Sequence, residues 1–148
     1  MSVVSNGFVV TYIEHLKNIL NHILDSYQIL DEIEDKPGDL SKIEKEMLKI
    51  NGFIRVVSNK IDPDNIPASD FKILRIKFSQ YLENYSFEAE IKTMASLYSD
   101  DMSRVKNMRL KILEALKSKH MIDDARELMD DLWLTTKNVF CVDVLIIG

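Results

Sequence analysis

A seam of apolar residues, spaced alternately three and four positions apart, runs through two consecutive segments and constrains this chain more than any other feature. In the first segment it is Val9, Ile13, Leu16, Leu20, Ile23, Tyr27 and Leu30; in the second, Leu40, Ile43, Met47, Ile50, Ile54, Val57 and Ile61. An α-helix turns once every 3.6 residues or so, and this spacing gathers each set into a stripe on one helix face. Lys36-Pro37-Gly38-Asp39 stands between the stripes. Proline cannot continue a helix, glycine tolerates the left-handed conformation that ends one, and aspartate or the following Ser41 caps the next. The two segments are therefore expected to fold back on each other as a long antiparallel hairpin over residues 9–61.

Composition extends the helical reading to the rest of the chain. Only four Gly and three Pro occur among 148 residues, 46% of them hydrophobic, which favours long elements around a sizeable core. One domain spanning 1–148 is expected. After the hairpin, Asp62-Pro63-Asp64-Asn65-Ile66-Pro67 reads as a rigid connector over 62–68. The helical period resumes over 69–134. Phe71, Leu74, Phe78, Tyr81 and Tyr85 mark a helix from about Ser69 to Tyr85. Ile91, Met94, Tyr98, Val105, Met108, Ile112 and Ala115 or Leu116 mark one from about Phe87 to Lys119, and Ile122 to Trp133 forms another. Asp100-Asp101 interrupts the longest of these stripes, so either the helix breaks there or its seam passes from one neighbour to another. The predicted class is all-α, a bundle of about five helices built on the hairpin.

Both termini depart from the pattern. Val3, Val4, Phe8, Val9 and Val10 flank Asn6-Gly7, a dipeptide suited to a tight hairpin turn, although Ser5 or Asn6 would equally cap a first helix starting near Val9. Residues 139–147 form a β-branched apolar run with one charge, and their local propensity is extended. A short strand at either end is compatible with this. Such a C-terminal run needs cover from the bundle, a second strand or an interface.

Catalytic groupings are scarce. His15 and His22 are seven positions apart, whereas chelation from one helix requires three or four, and no Glu-x-x-His pair occurs. Cys141 lies in the most apolar stretch with no activating neighbour, and there is no glycine-rich phosphate loop. The acidic pairs lack the glycine and ligand spacing of a calcium loop. No metal, cofactor or catalytic residue is expected, and the chain is read as non-enzymatic. A lone cysteine suits the cytoplasm, no run reaches the roughly 18 apolar residues of a membrane span, and the N-terminus lacks signal-peptide features. Arg104, Lys106, Arg109, Lys111, Lys117 and Lys119 cluster as a basic face next to an acidic stretch, Asp123, Asp124, Glu127, Asp130 and Asp131. A net charge of -5, and the absence of aromatics at stacking intervals on that face, count against nucleic acid as partner.

The run Glu14-His15-Leu16-Lys17-Asn18-Ile19-Leu20-Asn21-His22-Ile23-Leu24 resembles the phosphoacceptor segment of sensor histidine kinases, where His-Glu-Leu-Lys-Asn-Pro-Leu-Asn opens a helical hairpin. Asp39-Leu40-Ser41 opens the second helix at a similar distance, and Phe53-Ile54-Arg55-Val56-Val57-Ser58-Asn59 is similar to that family's closing Leu-Leu-Arg-Leu-Ile-Asn-Asp segment. Aligned on Leu16-Lys17-Asn18, Glu14 takes the phosphoacceptor position and Ile19 that of the usual proline. His15 is one step along, rotated by about 100°. The resemblance implies a dimerising hairpin in which His15 or His22 receives a phosphoryl group, with Lys17 and Asn18 near its charge and another protein as donor.

The leading expectation is a regulatory or adaptor protein that works by helix-to-helix contact with another protein or with a second copy of itself. Candidate contact residues sit off the main stripes, at Tyr12, Ile19, Leu24 and Trp133, or in the C-terminal run at Phe140. Histidine phosphotransfer is the alternative. A small helical subunit of a nucleoprotein complex, using Arg104 to Lys119, is a second.

Overall fold

The computed structural model describes residues 2–60, 69–118 and 122–131. The connector at 62–68, Lys119, His120, Trp133, Phe140, Cys141 and the apolar run at 139–147 lie outside the described residues. The described chain is all-α: α1 (Ser2–Glu32), α2 (Asp39–Lys60), α3 (Ser69–Tyr85), α4 (Glu88–Leu97) and α5 (Met102–Ser118), followed by helical residues 122–131.

α1 and α2 form the expected hairpin and share the most extensive contact of any pair of elements. Ile13, Leu16, Leu20, Ile23 and Leu30 of the first stripe are buried, as are Leu40, Ile43, Met47, Ile50, Ile54 and Val57 of the second. The turn between them is closed by its own polar groups. The Lys36 amide donates to Asp39 Oδ2 at 2.8 Å, the Asp39 amide donates to Lys36 O at 3.0 Å, and Ser41 Oγ donates to Gly38 O at 3.1 Å. Gly38 has φ +92°, a conformation in which any other residue is strained.

The N-terminal strand expected as one option does not form, because residues 2–10 continue α1. Extending an existing helix gains one hydrogen bond for each residue fixed, whereas an isolated two-stranded hairpin is marginal in water. The local valine propensity is outweighed.

Of the two courses left open at Asp100-Asp101 the chain takes the break, and the span from Glu88 to Ser118 is two helices. α4 ends where the Tyr98 amide donates to Met94 O at 2.8 Å, and Asp101 then accepts the Arg104 amide on Oδ1 at 3.1 Å, capping α5. The acidic pair therefore marks a break. The α3–α4 corner turns at Phe87, whose φ is +55°. From these elements Leu74, Phe78, Tyr81, Ile91, Val105, Met108, Ile112 and Leu116 join the hairpin core, and Ile122, Ala125 and Met129 complete it.

Candidate interaction surface

Burial decides which of the predicted contact residues can meet a partner. Ile19 is only 6% exposed, and Tyr12 and Leu24 are half-buried against the core. α1 is covered by α5 as well as α2, and Lys17 Nζ lies 2.7 Å from Asp130 Oδ1. Its apolar arc must therefore be wider than a two-helix seam, which accounts for apolar residues off the main stripe.

His15 is exposed on α1, with Glu14 and Asn18 exposed beside it. Lys17, read as a phosphate neighbour, is engaged by Asp130. His22 is also exposed, and its ring stacks on Phe53 of α2 at 5.4 Å between centroids and 15° between planes. Among the described residues, no three His, Cys, Asp or Glu side chains converge on a metal-sized site, and no described helix is long and apolar enough to cross a membrane.

The basic face is divided by its partners. Arg104 is exposed, pairs with Asp101 at 3.1 Å and lies 4.0 Å above the Tyr98 ring. Lys111 pairs with Glu90 at 3.3 Å and sits 5.5 Å from the Phe87 ring centroid. Lys106 and Lys117 are exposed. Arg109 does not belong to this face at all, being 7% exposed and turned inward. Its Nε and Nη2 donate to Asp35 Oδ1 and Oδ2, both at 2.9 Å, and its Nη1 donates to Leu30 O at 3.2 Å. The last carbonyls of a helix have no partner within it, and the planar guanidinium fork satisfies them together with a carboxylate. That hydrogen bond, backed by the positive charge of Arg109 and of Lys106, holds the Asp35 carboxyl below its ordinary range against the opposing effect of burial. The sequence carried a signal for this. Arg109 stands four residues after Val105 and three before Ile112, on the buried face of its helix.

Among the described residues, α3 carries two exposed isoleucines close together on one helix face. Leu74, Phe78 and Tyr81 point into the core, whereas Ile73 is 55% and Ile76 50% exposed. Lys72 and Arg75 are exposed among them. Between α3 and residues 122–131 runs a groove of about 310 Å³, with Ile73, Leu74 and Leu128 as its apolar floor. Lys77 edges it on one side, Asp124 and Glu127 on the other, and Lys77 Nζ bridges to Asp124 Oδ2 at 3.2 Å. Sequence reading passed over these isoleucines because the stripe through Leu74 and Phe78 accounted for the core of α3. The rule applied to α1, apolar residues off the stripe, selects them once it is applied here too.

No protein-family model matches this chain, and no curated protein or solved structure shows significant similarity to it.

Proposed function

We propose that this protein is a non-enzymatic helical adaptor that engages a protein partner through α3 and the groove beside it. The observation that carries this reading is the pair of half-exposed isoleucines on α3, Ile73 lining the apolar groove and Ile76 beside it on the outward side of the same helix. Single exposed apolar residues are ordinary on protein surfaces, but neighbouring ones beside a groove form a patch whose cover is worth about 25 cal/mol for each Å² removed from water. Two flanking signs of charge, on Lys72 and Glu127, add orientation to that attraction. The test is a photo-crosslinking residue at position 76, compared with the same residue at the exposed position 28, in native extract. A discrete adduct specific to position 76, lost when Ile73 is changed to Glu, is expected. Identical products from both positions would overturn the reading.

Histidine phosphotransfer is a second reading, favoured by the exposure of His15 with Asn18 one turn along α1. A neutral imidazole nitrogen is nucleophilic near neutral pH and would take the phosphoryl group from a phosphorylated donor protein. Incubation with such a donor should leave an acid-labile label that His15→Ala removes. Absence of label, or label surviving His15→Ala combined with His22→Ala, counts against it.

A further inference from the structure

We infer that the partner seated on the α3 groove is a second copy of this chain, related by a two-fold axis parallel to the groove; this rests on the reading of the groove as a contact surface. The argument is one of charge geometry. The two helices that form the groove carry opposite signs: Lys72 is exposed on the outward side of α3, outside the groove itself, and Glu127 lines the groove from residues 122–131, and neither has an ion-pair partner among the described residues. A symmetric dimer joins the same patch on both copies. With the axis along the groove, α3 of one copy lies over residues 122–131 of the other, so that Lys72 approaches Glu127 of the partner subunit and the reverse contact forms by symmetry. With the axis across the groove each helix meets its own counterpart, which sets Asp124 and Glu127 against the same two carboxylates. Like charges directly opposed cost energy in the second arrangement, and opposite charges gain it in the first.

The apolar groups fit the same axis. Ile73, in the groove lining, and Ile76, outward on the same helix, are both exposed on α3, and in this arrangement they would pack against residues 122–131 of the other copy as ridges into grooves. At 1.5 Å per residue α3 is about 25 Å long and residues 122–131 about 15 Å, so the two helices side by side, each about 10 Å wide, offer roughly 400 Å². That is below the 800 Å² or so per partner of a standard interface, so the dimer should exchange in the micromolar range.

Sedimentation velocity of the purified full chain from about 5 to about 200 µM tests this. A reversible monomer–dimer equilibrium is expected, abolished by Ile76→Glu, a substitution at an exposed site that should leave the helical circular dichroism unchanged. Lys72→Glu and Glu127→Lys should each weaken the dimer by about tenfold, and the two together should restore it, because the swapped charges again face each other across the axis. A monomer throughout, a dimer indifferent to Ile76→Glu, or no restoration by the double swap would each overturn the proposal. If the pure chain is monomeric while the position-76 crosslinker still captures a different protein in extract, the second copy is overturned and the contact surface stands. If neither is seen, both fall.

Discussion

Arg109 satisfies two needs at once, because the carbonyls that end α1 and the carboxylate of Asp35 are met by one guanidinium. Both side chains are nearly buried, with 9% and 13% of their surfaces exposed. Removing one partner of such a pair leaves the other desolvated without compensation, so Arg109→Met should destabilise the fold by about 3 kcal/mol in urea denaturation at neutral pH. The pH dependence follows from the direction of the shift at Asp35. Its carboxyl binds protons less readily folded than unfolded, so the contribution is complete above the ordinary carboxylate range and is lost as pH falls through the folded-state value, below about pH 4. Wild type should lose stability there, and Arg109→Met should lose less. A variant whose loss over the same acid range equals that of wild type would show that the clasp is not the titrating contact.

Among the elements, the α3–α4 corner is fixed by α2. Asn51 is fully buried, and its Nδ2 donates to Ser86 O at 2.9 Å and to Glu88 Oε1 at 3.3 Å, while Arg55 Nη2 reaches the same carboxylate oxygen at 2.7 Å. These bonds hold the Glu88 carboxyl below its ordinary range, the Arg55 bond most of all. Asn51→Leu fills similar volume but leaves Ser86 O without its donor, a loss of about 1–3 kcal/mol. Amide hydrogen exchange should then quicken in α4 more than in α1. The contrast with the hairpin shows what a sequence reveals. The stripes of α1 and α2 are legible because helical period alone puts Leu16, Leu20, Ile43 and Ile54 on one side, and Pro37-Gly38 separates them. The Asn51 contact joins residues 35 positions apart, and nothing local distinguishes a buried asparagine from a surface one. The same limit applied to charge. Six cations close together in sequence read as one face, yet Arg104, Arg109 and Lys111 are turned apart by carboxylates that the fold delivers from the α4–α5 turn, the α1–α2 turn and α4.

In the molecule as a whole, apolar groups from every described helix meet in one cluster, and most ion pairs lie at its periphery. The peripheral pairs join exposed side chains and contribute little each. What sets them apart is reach: Lys17 to Asp130 and Lys77 to Asp124 fasten residues 122–131 to α1 and α3 and so shape the groove. The groove was not legible beforehand because it belongs to two helices distant in the chain. Its floor residues, Ile73 and Leu128, become neighbours only after the bundle has closed.

The clasp between Arg109 and Asp35 spans 74 positions of chain. Contacts of such separation form late, after the quick local pairing of α1 with α2, since the intervening chain must first be ordered. Its rupture should then control the escape from the native state rather than the approach to it. In stopped-flow measurements Arg109→Met should leave the refolding rate near that of wild type and accelerate unfolding by about 100-fold, a lifetime governed by one side chain at the closing seam of the bundle.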